Sequence, residues 1–329
     1  MGKVLVTGGT GYIGSHVVAS LIENNYEPII IDNFSNSSPR VLDNLCKLTN
    51  RQIDFYCIDI TDRSELKKVF VEQEIEAVVH LAALKSVSES LHRPLDYYRT
   101  NVLGTVNLLG LMSQYSIELL IFSSSAAVYG LQEADMCRED TQLQPTSTYG
   151  HTKVVCEQII EHLPGLKAIS LRYFNPVGAH PSGLLGEDSC LNLLPLVAQI
   201  ALGKRAGPLL IYGVDYNTED GTAIRDYPHV VDIAHGHLQA LAFLKTKSGC
   251  GQWTYNLGTG CGHSVLQVVQ TFTKVTGLNL NLEFSDRRPG DVPFLVANIH
   301  KATADFNWSI QFSLEDACRH LVHYYQQNK

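Results

Sequence analysis

A tyrosine and a lysine four residues apart carry the sharpest chemistry in the chain: Tyr149 and Lys153, in Tyr149-Gly150-His151-Thr152-Lys153. In a helix that spacing puts both side chains on one face. A free phenol titrates near pH 10 and is a poor base at neutral pH. An ammonium about 5 Å away, at an effective dielectric of about 20, favours the phenolate by about 3 kcal/mol, roughly two pKa units. Such a pair makes a general base that works near pH 7. The pattern alone recurs at Tyr325 and Lys329, so setting has to separate the two. Tyr149 follows Ser123-Ser124-Ser125, which come after an apolar strand-like run, where open α/β sheets place reactive groups.

A second constellation lies near the start, in Gly8-Gly9-Thr10-Gly11-Tyr12-Ile13-Gly14. Glycines at 8, 11 and 14 permit a tight turn, a close backbone approach to a pyrophosphate, and close packing of helix on strand, with the helix N-terminus facing the phosphates. Asp32 ends the second strand-like run, 18 residues after Gly14. Its carboxylate can accept hydrogen bonds from both adenosine ribose hydroxyls and would repel a 2′-phosphate, so NAD is expected rather than NADP. An oxidised nicotinamide beside Tyr149 would add positive charge and favour the phenolate further.

These groups need a scaffold that alternates strand and helix. Val4–Thr7, Pro28–Ile31, Ile53–Tyr56, Ala77–His80, Leu119–Phe122 and Ala168–Leu171 are apolar and lack in/out alternation, as parallel strands covered on both faces do. Between them Asp62-Arg63-Ser64-Glu65 predicts a capping box, and Ser38-Pro39 a helix start. The fold class expected is α/β: a doubly wound parallel Rossmann sheet with a smaller C-terminal α/β substrate domain. Residues 1–172 form the NAD-binding domain and 173–329 the substrate domain, with part of 229–260 a candidate to return to the large domain.

Composition narrows the partners. Of 329 residues 45% are hydrophobic and 18% charged, which excludes a disordered chain. The net charge of −8 argues against nucleic acid or an anionic membrane as partner, while a few local arginines suffice for a small anion. No run of about 18 apolar residues predicts a membrane span, and no signal peptide is expected. Eight scattered cysteines without a C-x-x-C pair fit reduced thiols in a cytoplasmic protein. The thirteen histidines form no H-E-x-x-H motif, and no metal site is expected.

Gly8 to Gly14, Leu81-Ala82-Ala83, Ser123 to Gly130 and the Tyr149/Lys153 pair resemble the extended short-chain dehydrogenase/reductase family. Arg172 to Gly183 (R-Y-F-N-P-V-G-A-H-P-S-G), Thr218 to Thr222 and Arg225-Asp226-Tyr227 narrow the resemblance to the UDP-glucose 4-epimerases, from Val4 to about Trp308. That resemblance implies reversible 4-epimerisation of a UDP-hexose through a 4-keto intermediate, with hydride stored transiently on tightly bound NAD. Tyr149 would take the proton of the sugar 4-hydroxyl, Lys153 depress the phenol and hold the nicotinamide ribose, and Ser125 bind the sugar oxygen. Beyond the three glycines, cofactor contacts would fall on Tyr12, Ile13, Asp32, Asn33, Asp59, Ile60, Leu81, Ala82, Lys85, Ser125, Tyr149, Lys153 and Phe174. Substrate contacts would fall on Lys85, Ser125, Tyr149, Asn175, Asn192, Leu193, Tyr212, Arg225, Arg288 and Asp291. A homodimer is implied too, with apolar residues on Pro94–Met112 (Leu95, Val102, Leu103, Val106) and Tyr149–His162 (Val154, Val155, Ile159) buried in an intersubunit four-helix arrangement.

The arginines have a bland reading as well, in which Arg225-Asp226 and Arg287/Arg288-Asp291 are ordinary surface ion pairs. The chain also departs from the family pattern: Leu191 stands where the family has an asparagine, and Leu295 is intermediate at a position that sets room for a 2-acetamido group. Rival readings are a 4-epimerase of UDP-N-acetylhexosamine or UDP-glucuronate, a nucleotide-sugar 4,6-dehydratase, and a non-catalytic NAD-binding sensor. A dehydratase needs an acid beside the catalytic serine, where this chain has Ala126 and Ala127.

Overall fold

The computed structural model describes residues 2–131, 136–189, 192–288 and 291–328. Leu191 and Lys329, named above, and Cys190, one of the eight cysteines, lie outside the described residues. The first half runs β1 (Lys3–Thr7), α1 (Tyr12–Glu23), β2 (Glu27–Asp32), α2 (Arg40–Thr49), β3 (Asp54–Cys57), α3 (Arg63–Glu72) and β4 (Ala77–His80). Then come α4 (Val87–His92), α5 (Pro94–Tyr97), a π-helical turn (Tyr98–Leu103), α6 (Gly104–Gln114), β5 (Leu119–Ser125), α7 (Thr148–Glu161) and β6 (Lys167–Tyr173). The second half holds α8 (Leu193–Ala201), β7 (Leu209–Tyr212), β8 (Ile224–Asp226), α9 (Val230–Thr246), β9 (Gly251–Leu257) and β10 (Gly262–Ser264). It ends with α10 (Val265–Thr276), β11 (Leu282–Ser285), β12 (Phe294–Leu295), α11 (His300–Phe306) and α12 (Leu314–Gln327).

Seven parallel strands form one sheet in the order β3-β2-β1-β4-β5-β6-β9. The order reverses between β1 and β4, the switch point at which such sheets bind ligands beyond the strands' C-terminal ends. Alternate residues of each strand feed two cores. Val4, Val6, Ile30, Val79 and Ile121 pack with α1, α9 and Trp308; Leu5, Ile29, Ile31, Val78 and Leu120 pack with α3, α6 and α7. Full burial of each such side chain is worth about 1.5–3 kcal/mol, which explains strands apolar on both faces. The chain returns to this sheet late: α9 packs on it and β9 pairs with β6. Beyond the sheet's C-terminal edge stand β10-β8-β12 and the pair β11-β7, over a separate core of α8, α10 and α12.

Two local expectations change. Ser123 to Ser125 are the last three residues of β5 rather than the residues after it. Asp62 caps α3 by accepting the Ser64 and Glu65 amides, but Glu65 does not close a capping box: it turns outward and pairs with Lys68 at 2.6 Å. Both groups of that pair are exposed, where an ion pair adds little to stability.

Candidate active site

At the β1–α1 turn, Gly8 has a φ of 72° and lies against the backbone of Ala82, where a Cβ would stand 2.7 Å from the amide nitrogen. A Cβ on Gly14 would fall 2.1 Å from the Gly8 carbonyl oxygen, so no larger residue fits under this turn. Gly11 caps α1 without a side chain, so no capping side chain takes up the first amides of the helix. Asp32, 7% exposed at the end of β2, faces the same turn. Its carboxylate accepts the Thr10 amide (3.1 Å), the Phe34 amide (2.9 Å) and the Ser37 hydroxyl (3.2 Å). A carboxylate has about four acceptor directions, so one further donor fits and a second requires Ser37 to let go. This cradle, with an acid at its rim, suits a dinucleotide with a free ribose.

The adjoining loops complete that edge. Asn33 donates to Asp59 at 2.9 Å. Burial raises the Asp59 carboxyl, yet hydrogen bonds from Thr61 and Asn33, with the Arg99 charge, bring it below its ordinary value. Ile60 is buried beneath Gly104. The Leu81 and Ala82 amides bond the Thr7 carbonyl and hydroxyl, tying this loop to the end of β1. Ile13 packs into the core behind the turn, and Tyr12 donates to the Gly178 carbonyl at 2.8 Å.

Ser147 starts α7 by accepting the Gly150 amide at 3.1 Å. Gly150 lets the helix press onto the chain after β5, since a Cβ there would stand 2.5 Å from the Ala127 carbonyl oxygen. That contact delivers Tyr149 to Ser125, whose hydroxyl favours the phenolate. Lys153, 3% exposed, lies 5.9 Å from the centre of the Tyr149 ring and donates to the Ser123 carbonyl at 2.6 Å. Here the chain alone departs from expectation. Burial raises the phenol above its ordinary value, only partly offset by Ser125, and burial pulls Lys153 down to about 8. Desolvation penalises the charged form of each member of the pair, and it outweighs the predicted depression of the phenol. Phe174, buried at the end of β6, closes this side with Tyr129 and Leu295.

The remaining substrate candidates come from six separate segments. The Asn175 amide bonds the Asp226 carbonyl, Leu193 opens α8, and Asn192 donates to both oxygens of Glu187 (2.9 and 2.8 Å). Lys85 reaches the same carboxylate at 2.5 Å. The Arg288 guanidinium lies over the Tyr212 ring, 4.0 Å from its centre. Arg225 pairs with Asp291 rather than Asp226. The Asp226 carboxylate is instead consumed internally by the Thr259, Gly260 and Ala297 amides and the Thr259 hydroxyl, and burial raises it despite these bonds. Arg287 makes a surface ion pair at 2.7 Å, but with Asp215 and not with Asp291.

Sequence reasoning passed over Glu187, the buried acid joining Lys85 to Asn192, and Glu157 with Arg172 beneath the serines. Glu157 had a signal: it follows Lys153 by four residues, on the same helix face. Glu187 had none, because its partners lie 102 residues before it and five after. Among the described residues no group of three or more His, Cys, Asp or Glu could hold a metal, and no helix is long and apolar enough to cross a membrane. The seven cysteines described are free thiols.

Known proteins share this architecture. A family described as GDP-mannose 4,6 dehydratase matches residues 5–321. UDP-glucose 4-epimerase 2 of Oryza sativa subsp. japonica is 47% identical over 96% of this chain and 80% of its own. The UDP-glucose 4-epimerase of Stenotrophomonas maltophila, solved with NAD and formylated UDP-arabinopyranose, superposes with a TM-score of 0.96 at 40% identity, covering 100% and 99% of the two chains. That of Bifidobacterium longum, in complex with NAD+ and UDP, gives 0.94 at 38%, covering 99% and 98%. With glycine cradle, serine-ended strand and Tyr149/Lys153 pair at one sheet edge, and with this identity along nearly its whole length, the chain belongs to the UDP-glucose 4-epimerase family of extended short-chain dehydrogenase/reductases.

Proposed function

We infer that the chain is an NAD-dependent isomerase that interconverts UDP-glucose and UDP-galactose. The observation that carries this reading is the Tyr149 phenol beside Ser125, with the Lys153 ammonium 5.9 Å from its ring, at the edge where Gly8 to Gly14 form a dinucleotide cradle. The glycine turn and Asp32, Asn33, Asp59, Ile60, Leu81, Ala82, Lys85 and Phe174 hold NAD. When bound, NAD supplies the acceptor and then the donor of the C4 hydrogen, and a positive charge that offsets the burial of the phenol. Tyr149 removes the proton of the 4-hydroxyl and later returns it. Ser125 holds the sugar oxygen and relays that proton, and the Lys153 ammonium favours the phenolate. Arg225 and Arg288 grip the diphosphate, a task suited to planar guanidinium, while the 4-keto hexose turns to present its other face. No net oxidation results.

The same edge speaks against water elimination, because methyl groups at Ala126 and Ala127 donate no proton. Incubating the purified chain with UDP-galactose, without added NAD, tests the reading. UDP-glucose is the expected product; a 4-keto-6-deoxy sugar would establish a dehydratase instead, and absence of turnover would overturn catalysis.

The protein works in the cytoplasm as a homodimer, in this reading. Leu91, Leu95, Tyr98, Leu103 and Val106 are exposed along α4 to α6, and a partner's matching helices would cover them. Val102, Val154 and Ile159 pack in part against the chain's own core. Residues 1–172 with α9 and β9 form the cofactor-binding domain, and the rest of 173–329 the substrate-binding one.

A further inference from the structure

We propose that Glu157 is a positioning residue of the reaction: it fastens the working face of α7 to the end of β5 and keeps the Lys153 side chain charged. Three successive residues of β5 meet three residues of α7 spaced by four. Ser125 engages Tyr149, the Ser123 carbonyl accepts Lys153, and the Ser124 hydroxyl donates to Glu157 at 2.5 Å. Arg172, opposite Ser124 in the β5–β6 register, grips both oxygens of that carboxylate at 2.9 and 2.6 Å. It spends its remaining nitrogen on the Tyr129 hydroxyl and the Glu139 carbonyl. The acid and the arginine are 7% and 5% exposed.

Stability is a poor reason for such a pair, because well-packed apolar replacements of buried ion pairs are often neutral or stabilising. Lys153, one turn before Glu157, is the group that gains. Its ammonium is faced by Tyr149 and Cys156 from α7, His80 from β4, and the Phe122 ring and Ser123 carbonyl from β5, while from β6 Tyr173 stands by Tyr149 and Arg172 by Glu157. Tyr149, Tyr173 and the Cys156 thiol are raised by burial, and His80 is lowered to about 3, so all four are neutral at pH 7. Burial pulls Lys153 down, and Cys156 and Glu157 oppose it. With the thiol protonated, the Glu157 carboxylate is the anion that counters the loss.

The test compares the native chain with Glu157→Gln, which keeps shape and removes charge. In protein labelled with 13C at the lysine ε-carbons, the Lys153 signal is identified by its absence from Lys153→Met. Its midpoint is expected near pH 8 in the native chain and lower by about half a pH unit or more in Glu157→Gln. An unchanged midpoint overturns the proposal, and this reading needs no turnover, so its failure is separable from failure of the epimerase reading on which the catalytic consequence rests. In the active enzyme the alkaline limb of kcat should move down by the same amount with KM steady, and Glu157→Asp should restore it. Loss of kcat that is uniform across pH, with the limb in place, marks a merely structural role and overturns the proposal. Should Glu157→Gln fail to fold, Ser124→Ala keeps the charge and cuts the tie to β5. About a fivefold loss of kcat at steady KM is then expected, as for one lost hydrogen bond, and native kcat overturns the proposal.

Discussion

The edge formed by β5 and α7 and the loops bearing Arg225 and Arg288 handle charge in opposite ways. In the first, Lys153, Glu157 and Arg172 are almost fully buried and each is tied to strand or backbone, so the reacting groups are held before any ligand arrives. In the second, Arg225 pairs with the part-exposed Asp291 and Arg288 lies over an aromatic face, side-chain contacts that an incoming diphosphate can replace. A rigid edge suits chemistry that needs fixed distances. Exchangeable partners suit a sugar that must be gripped at one end while its other end turns over. The division predicts that substitutions at the edge act on kcat and those in the loops act on KM.

The largest effect should come from Tyr149→Phe, which removes the proton acceptor and little volume. A loss of about 10³-fold in kcat is expected, within the range for general acid–base groups, with native KM and NAD content. Near-native turnover would take Tyr149 out of the mechanism and dissolve the contrast. On the other side, Arg225→Ala should raise KM about 100-fold with kcat nearly steady, because loss of the cation also leaves Asp291 facing the diphosphate. Adding Asp291→Ala should recover about tenfold of that loss, as for a like charge removed from an anion site. An equal fall in kcat would place these loops in the chemical step instead.

The contrast also explains what could be seen in the sequence. Gly8 to Gly14 and Tyr149 to Lys153 are contiguous, and their spacing is a local geometric statement about a turn and a helix face. The six strands that carry them were legible because burial on both faces makes each an unbroken apolar run. The strands behind the arginines are two to four residues long, and β11 is largely exposed, so no period marks them. Arg225 precedes Asp226 in sequence, yet pairs with Asp291, 66 residues on, because β8 turns the Asp226 carboxylate to the backbone amides beside it. The balance of burial against charge at Tyr149 was equally out of reach, since spacing gives a distance but no dielectric.

Asp32 stands between these two regimes and should give the smallest effect. It is buried like the edge, yet it serves recognition like the loops. Its carboxylate restrains the Thr10 amide, the Phe34 amide and the Ser37 hydroxyl, so removing it both loosens the glycine turn and lifts the repulsion of a 2′-phosphate. Asp32→Ala should therefore weaken NAD and improve NADP relative to it, shifting the preference about tenfold, equivalent to about 1.4 kcal/mol. Asp32→Asn keeps an acceptor for the amides and drops the charge, so it should shift the preference to a similar extent while disturbing NAD less. Reconstituting cofactor-stripped protein with each dinucleotide measures both. A preference unchanged in the two variants would mean that the turn, and not the carboxylate's charge, discriminates between the cofactors.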